Sequence, residues 1–430
     1  AFTAANSART ACGPYRVPNA IIDATCVRTN NPPSGAMRGF GVVQSCFAHE
    51  SQMDKLAAAV GIDPVQIRLR NAVAQGDELT TGQTIHVPAP VRECLEAAAA
   101  FPLPPLSDGD YGLPGGAGRT ADRERIRRGI GFAVGYKCQM YADGYDDDTR
   151  ARCRLEGGVA TITCAAAELG QGFVTVAGQI ARTVLGIDEV LLAPASTETI
   201  GSAGSSAASR QTYMSGGAIE KACMGVIEQA KEIVAERTGI AAESLAVREG
   251  RIVSADGSIN VPIGEASEEA IEVEVEHHHR TTYPMDPETG QADSEVSWVF
   301  VANRAVVDVD LDLGLVRVIQ ITTGQDVGKA LNPLSVIGQI EGATSQGLGL
   351  AVMEEVVLTD GLIQNPSFTD YLIPTFADMP PVEIALIEEP EDAGPFGAKG
   401  VGETASLAST PAVAAAIRAA TGLELPRVPI

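Results

Sequence analysis

The sequence predicts an α+β fold, and three observations carry that prediction. Helical stripes of period 3.6 and strand-like alternation of period 2 both run through the 430 residues. They do not take turns in a clean β-α-β rhythm, which favours packed layers over a doubly wound sheet. Hydrophobic residues make up 45% of the chain, enough at this length to bury well over half of the surface. Length also suggests two or three folding units at roughly 150 residues each, and no repeat appears at the periods of about 20–50 residues that mark solenoids.

Taken in order, residues 13–30 alternate apolar and polar and predict a strand entered through Pro18, closed by a breaker-rich turn at Asn31-Pro32-Pro33-Ser34-Gly35. Val43, Cys46, Phe47, Met53, Leu56, Ala57 and Val60 share helical spacing, so a helix is expected over 42–60 with Gly61 as its stop. Asp63-Pro64 reads as an N-cap and first position of a second helix ending near Asn71. The Pro- and Gly-rich, then charged, stretch 101–128 predicts a linker, dividing the chain into a first segment, 1–100, and a second, 129–430. Beyond it, strands are expected at Ile130–Val134 and Val159–Cys164, and helices at Phe173–Leu185 and from Tyr213 to about Arg237. Residues 296–323 predict a hairpin turning across Asp312-Leu313-Gly314. A final helix is expected with Ser409 or Thr410 as its cap, Pro411 at its first position and Gly422 after it.

Composition excludes several functions. With 31 basic and 55 acidic side chains the formal net charge is −24, which argues against a nucleic-acid surface built on clustered Lys and Arg. Aromatic residues at 4% disfavour base-stacking platforms. No apolar run reaches the ~18 residues of a membrane span. The eight cysteines are scattered with no CxxC pair, so zinc or iron–sulfur spacing is absent and a disulfide scaffold is not indicated. No secretory leader is visible, so a cytoplasmic setting is expected.

Four segments place a polar side chain among glycines: Gly35–Gly41 (GAMRGFG), Glu168–Gly172 (ELGQG), Gly338–Gly342 (GQIEG) and Gly397–Glu403 (GAKGVGE). Glycine lets a backbone approach a ligand and exposes N–H groups to anions. The last three also adjoin helix-like runs, whose N-termini favour phosphate. Ala203–Ser209 (AGSSAAS) adds a stretch of small residues that leaves room for a bulky group. Each alone is compatible with an ordinary turn. Together they suggest a large, polar, phosphate-bearing ligand gripped by several loops. None fits a P-loop or a dinucleotide-binding GxGxxG.

The order RGFG, ELGQG, AAS, GQIEGA, GAKGVGE, with YRVPN, TNNPP and QDVGKALNP between, resembles the xanthine dehydrogenase/aldehyde oxidase family of molybdenum hydroxylases over nearly the whole chain, and bacterial purine-catabolic xanthine dehydrogenase subunits most of all. The resemblance implies a molybdopterin-binding fold of mixed sheets and packed helices. It also implies a molybdenum ion held by a pterin rather than by side chains, in bacterial relatives often as the cytosine dinucleotide. Electron transfer would run through [2Fe–2S] clusters and FAD on partner subunits. By the same resemblance Glu403 is the catalytic general base, a lone carboxylate among glycines. Arg38 lies beside the cofactor and Phe40 packs on a flat substrate ring. Gln171 and Gln339 hydrogen-bond the pterin, and Ala207, Ala208 and Ser209 bring bare backbone to the metal.

This sequence departs from the family in places. Thr404 stands where Pro usually follows the glutamate, and the family's GGFGGK-type segment and a second, purine-gripping glutamate are missing. A substrate-binding arginine of the eukaryotic enzymes falls near Asn6, with Arg9 out of register. The missing half of the site implies a second molybdopterin-binding polypeptide, or a further stretch of the same one, besides Fe–S and FAD subunits and a small heterocyclic substrate. Purine hydroxylation is the first expectation. Nicotinate or aldehyde oxidation and a non-catalytic assembly role are the alternatives. Three lesser features are read as non-catalytic: His277-His278-His279 as a polar loop, the acidic run Glu388–Asp392 as solvated surface, and Cys138 as possible pocket lining without thiolate chemistry.

Overall fold

The computed structural model describes residues 2–32, 35–105, 125–194, 196 and 198–430. Its helices are α1 Phe2–Arg9, α2 Val42–Val60, α3 Pro64–Asn71, α4 Val91–Ala100, α5 Phe173–Leu185, α6 Gly216–Thr238, α7 Pro333–Val352 and α8 Ser409–Thr421. Its strands are β1 Ile126–Gln139, β2 Asp148–Glu156, β3 Val159–Cys164, β4 Val190–Leu192, β5 Leu245–Arg248, β6 Arg251–Ser254, β7 Asn260–Pro262, β8 Ile271–His278, β9 Ser297–Asp310, β10 Leu315–Asp326, β11 Leu358–Thr359, β12 Leu362–Ile363 and β13 Val382–Ile387. Mixed sheets and helices in layers are the α+β architecture expected.

The sheet that positions the site runs β1-β9-β10-β13, antiparallel except for the parallel last pair. Side chains alternate across β1. Val134, Tyr136 and Cys138 enter the core made with Trp298, Phe300 and α4. The opposite face carries Gly129, Gly131, Ala133, Gly135, Lys137 and Gln139 and meets α8. A side chain at Gly131 would begin 2.2 Å from the Ala412 carbonyl oxygen, so glycine lets α8 lie directly on the strand. That contact brings the turn before α8, and Glu403 with it, over Lys137. Val42, Val43 and Cys46 of α2 share the same core as β9, α7 and α8. A second sheet, β4-β3-β2-β8, packs under α5 and α6 around Ile162, Ile180 and Ile219.

Several elements follow the sequence closely. Gly61 ends α2 in the left-handed region at φ 66°. Asp63 caps α3, accepting from the Val65 and Gln66 N–H groups at 2.8 and 3.0 Å. The β9–β10 hairpin turns where expected. Others are corrected. The predicted strand at 13–30 is not a strand: only Tyr15 makes an isolated bridge, to Ala72, and residues 18–32 run exposed without a ladder. Of the turn at 31–35, Pro33 and Ser34 lie outside the described residues, as do 106–124 of the predicted linker, while its last residues, Ile126–Arg128, already belong to β1. The strand at Ile130–Val134 extends at both ends, and α6 begins at Gly216 after a single turn of π geometry at Gln211–Ser215. Neither Ser409 nor Thr410 caps α8. The Thr410 hydroxyl instead donates to the Gly347 carbonyl at 2.8 Å, tying α8 to α7.

Candidate active site

Glu403 follows Gly402, and its position is fixed through backbone and side chain together. Its N–H donates to Ser209 Oγ at 3.0 Å, and its carbonyl accepts from Ser406 Oγ at 2.8 Å. Its Oε2 lies 2.9 Å from Lys137 Nζ, with the two side chains 14% and 4% exposed. Ser209 Oγ reaches the same oxygen at 3.5 Å. Among the described residues Oε1 meets only the Gly39 N–H, at 3.4 Å, a weak contact that leaves its lone pairs open.

Lys137 is therefore the buried cation paired directly with Glu403, and the sequence reading missed it. Burial works to discharge it, but neighbouring negative charge outweighs burial and holds the ammonium above its ordinary value. Its negative neighbours are Cys138, Glu403 and Glu295; burial pushes Cys138 up to about 12, so it is a neutral thiol at pH 7, and Glu403 is the carboxylate in direct contact with the ammonium. The signal was present: a lone lysine inside the otherwise uncharged run IGFAVGYKCQM.

Arg38 ties three segments together. Its Nε donates to the Gly402 carbonyl, and one Nη donates to Gln339 Oε1 at 2.9 Å and to the Gln339 carbonyl at 3.3 Å. Burial lowers its pKa while Glu403 opposes the drop. In this arrangement the guanidinium ties the Gly402 turn to α7 rather than forking onto an anion. Phe40 follows at φ 41°, half-buried, its N–H donating to the Met37 carbonyl at 2.8 Å.

The small-residue loop is strained and clamped. Ala208 and Ser209 sit at φ 66° and 50°, a left-handed conformation costing about 1–2 kcal/mol per non-glycine residue. Fully buried Arg210 holds it, donating to the Ala203 and Ser205 carbonyls, to Thr149 Oγ1 and in a bidentate pair to Asp147 at 2.7 and 2.8 Å. Gly400 packs against this loop so closely that a side chain there would begin 1.9 Å from the Ser209 carbonyl oxygen. Gln139 accepts from the Gly400 N–H and donates to Ser297 at 2.9 Å, and Ser297 donates in turn to Glu391. Glu391, read as solvated, is thus buried, and burial raises its pKa.

Two glycine-rich segments differ from their sequence reading. ELGQG offers no free anion seat at the start of α5. The Glu168 carboxylate itself accepts from the Gly170, Gly172 and Val174 N–H groups at 2.8, 3.1 and 3.0 Å. Burial opposes its charge, but these bonds win and lower its pKa. The Gln171 amide donates to the Ala167 carbonyl at 2.9 Å and to Gln211. GQIEG lies inside α7, not before it. There Gly338 and Gly342, one turn apart, have nothing within 4 Å of where a side chain would begin. Gly172, next to Gln171, approaches Ser335, one turn before Gln339: a side chain at Gly172 would begin 3.5 Å from Ser335 Oγ.

The remaining features do not join the site. His277 and His278 end β8 and His279 follows it, and the three diverge onto Lys221, Asp146 and the Tyr141 carbonyl. Arg9 is engaged by Asp143 and by Glu295, the latter at 3.0 Å. Among the described residues no three His, Cys, Asp or Glu side chains gather to hold a metal ion, and no helix is long and apolar enough to cross a membrane.

These residues fit a flat, polar cofactor. The bare glycine face of α7 is open, the Gln339 amide nitrogen beside it has no partner among the described residues, and the Ala207–Ser209 backbone is held in a strained shape. Residues 114–380 match the family described as molybdopterin cofactor-binding domain, and residues 1–72 match a second family of the same description. The chain belongs to the molybdopterin cofactor-binding family, of the xanthine dehydrogenase and aldehyde oxidase type. It is similar to a probable xanthine dehydrogenase subunit of Bacillus subtilis, 30% identical over 98% of this chain and 55% of the relative. It is similar also to the gamma subunit of the 6-hydroxypseudooxynicotine dehydrogenase complex of Paenarthrobacter nicotinovorans, 29% identical over 97% of this chain and 53% of the relative. The crystal structure of quinoline 2-oxidoreductase from Pseudomonas putida 86 shares its fold at a TM-score of 0.80 and 24% identity, over 97% of this chain and 54% of that one. The chain thus spans about half the length of the relatives it matches.

Proposed function

We propose that this chain supplies one part of the catalytic site of a molybdenum hydroxylase acting on an aromatic N-heterocycle, with a purine such as xanthine or hypoxanthine as the first candidate. One observation carries the reading: three segments far apart in sequence, through Gly39, Lys137 and Ser209, converge on a single carboxylate, Glu403. When bound, the molybdenum–pterin cofactor, taken here in its cytosine dinucleotide form, supplies the two-electron oxidation with water as the source of oxygen. Gln339, Gln171, Arg38 and the backbone of Ala207, Ala208 and Ser209 would hold it. Glu403 is the general base. Lys137 and Ser209 anchor Oε2, and the open lone pairs of Oε1 accept the proton. Phe40 would pack against the heterocycle. Electrons would leave to [2Fe–2S] and FAD partner subunits, and a further molybdopterin-binding stretch would complete the cavity.

The purine assignment leans on the B. subtilis relative's name, and the nicotine-pathway relative keeps pyridine substrates in view. A panel of xanthine, hypoxanthine, nicotinate and aromatic aldehydes, offered to the native complex with a dye acceptor, tests it. Turnover of purines that disappears in Glu403→Gln at unchanged molybdenum content supports the proposal. Turnover of aldehydes alone, or none in a molybdenum-loaded complex, overturns it.

A further inference from the structure

We infer that residues 18–32 form a strand-addition surface on which the rest of the molybdopterin-binding unit docks. The inference rests on the reading above that a further stretch of polypeptide completes the site. Every residue of 18–32 is exposed, and none lies in a helix or strand. Yet the stretch has strand chemistry. Ala20, Ile22, Ala24 and Cys26 share one face, and Ile21, Thr25, Val27 and Thr29, all β-branched, share the other. Ile21 is 95% and Val27 68% exposed. Cys26 aside, residues 18–30 make no backbone hydrogen bond to another segment among the described residues.

The segment is a strap rather than a tail, because both ends are anchored. Before it, Tyr15 is buried and its hydroxyl donates to Glu50 of α2 at 2.5 Å. After it, Gly39 is buried beside Glu403. Holding an extended chain between fixed ends outside any ladder forfeits conformational entropy and leaves N–H and C=O groups that template pairing. A strand laid along it would gain main-chain hydrogen bonds and cover alternate side chains. It would also lead straight into Arg38 and Phe40.

The occupant is the part of the molybdopterin-binding polypeptide that the relatives carry beyond this chain's match, whether on the same polypeptide or a separate one. This chain matches over 98% of itself but only 55% of the B. subtilis relative, so relatives of this fold hold a further stretch of comparable size. Charge agrees. In a protein of net charge −24, residues 18–32 carry one acid, Asp23, and one base, Arg28. The surface therefore suits backbone pairing and apolar cover better than a basic partner, and it does not repel an acidic one.

The test uses the native holoprotein with a photo-crosslinking benzoylphenylalanine in place of Ile21, peptide mapping of the crosslinks, and amide hydrogen exchange over 19–27. Molybdenum content and turnover are measured first, so a complex lacking both overturns the functional reading on its own. In a loaded, active holoprotein we expect crosslinks to sequence outside 1–430 that matches the relatives' further stretch. Alternate amides should be protected ~100-fold or more over an unpaired chain. Thr25→Pro, which removes one ladder donor at an exposed position, should lower retention of that stretch. Crosslinks to residues 18–32 of a second copy, crosslinks to an iron–sulfur or flavin subunit, or unprotected amides would each overturn the inference.

Discussion

Replacing Lys137 with Met removes the cation from Glu403 while keeping a side chain of similar length on β1. At the observed 2.9 Å the gross attraction is about 6 kcal/mol for an effective dielectric constant near 20. Desolvation of both ions offsets most of it. Removing one partner of a buried pair nevertheless costs about 3–5 kcal/mol, because the other charge is left uncompensated. Glu403 retains 14% exposure and the field of the nearby Arg38 guanidinium, which places the cost at the lower end. The carboxylate can then relieve itself by turning to solvent, away from the Oε1 orientation that makes it a base. Turnover should fall ~100- to 10,000-fold, the range for losing a general base, with molybdenum content retained. Lys137→Arg should restore part of it, since the charge returns in a different shape. The double variant Lys137→Met with Glu403→Gln should melt higher than Lys137→Met alone, because no buried charge is stranded, and be no slower than Glu403→Gln. The assays are kcat and KM on the native complex, thermal melting, and metal content. Full turnover in Lys137→Met, or a double variant less stable than either single one, would refute the reasoning.

The other predictions concern the loops and pH. Gly400→Ala puts a methyl group 1.9 Å from the Ser209 carbonyl oxygen, so the two loops must part; we expect a folded protein that loses most of its molybdenum, read by metal analysis beside circular dichroism. Arg210→Met strands Asp147 and frees the strained Ala208–Ser209 loop, so a loss of about 3–5 kcal/mol should appear as a lowered melting temperature that Lys cannot rescue, having one point charge where Arg makes a fork. His277 is buried beside Lys221, and burial first and that cation second lower its pKa to about 4. Between about pH 6.5 and 4 the unfolded chain therefore binds the extra proton, so stability is lost as pH falls through that window, by on the order of 3 kcal/mol. His277→Gln should flatten that part of the stability–pH profile in urea titrations, and an unchanged slope would count against the assignment.

Much of the fold was legible because local signals and packing agree. Asp63-Pro64 starts α3 as capping chemistry demands, and the β9–β10 alternation closes across a glycine turn. Where the sequence misled, an unlike contact decided. Residues 13–30 have strand chemistry, but beyond the Tyr15–Ala72 bridge no ladder forms on them among the described residues. Ser409 and Thr410 look like caps, but the Thr410 hydroxyl serves Gly347 of α7. The site was half legible. Motif order located Glu403, Arg38, Gln339 and the Ala207–Ser209 loop, and the structure gathers them. Lys137 and Gln139 were hidden because β1 was taken to end at Val134, and strand parity, which puts both on the α8 face, exists only once the strand is continued. Arg210 was hidden because its work is done from inside, on backbone carbonyls no pattern marks. Glu168 shows the reverse: a loop that reads as an anion seat is closed by its own carboxylate.

Anomalous diffraction at the molybdenum edge, on crystals of the native complex, reaches the central claim most directly. We expect a metal peak for which Glu403 is the nearest carboxylate of this chain, its Oε2 still on Lys137 and Oε1 turned to the peak. A peak beside some other carboxylate, with Glu403 facing solvent, would contradict it.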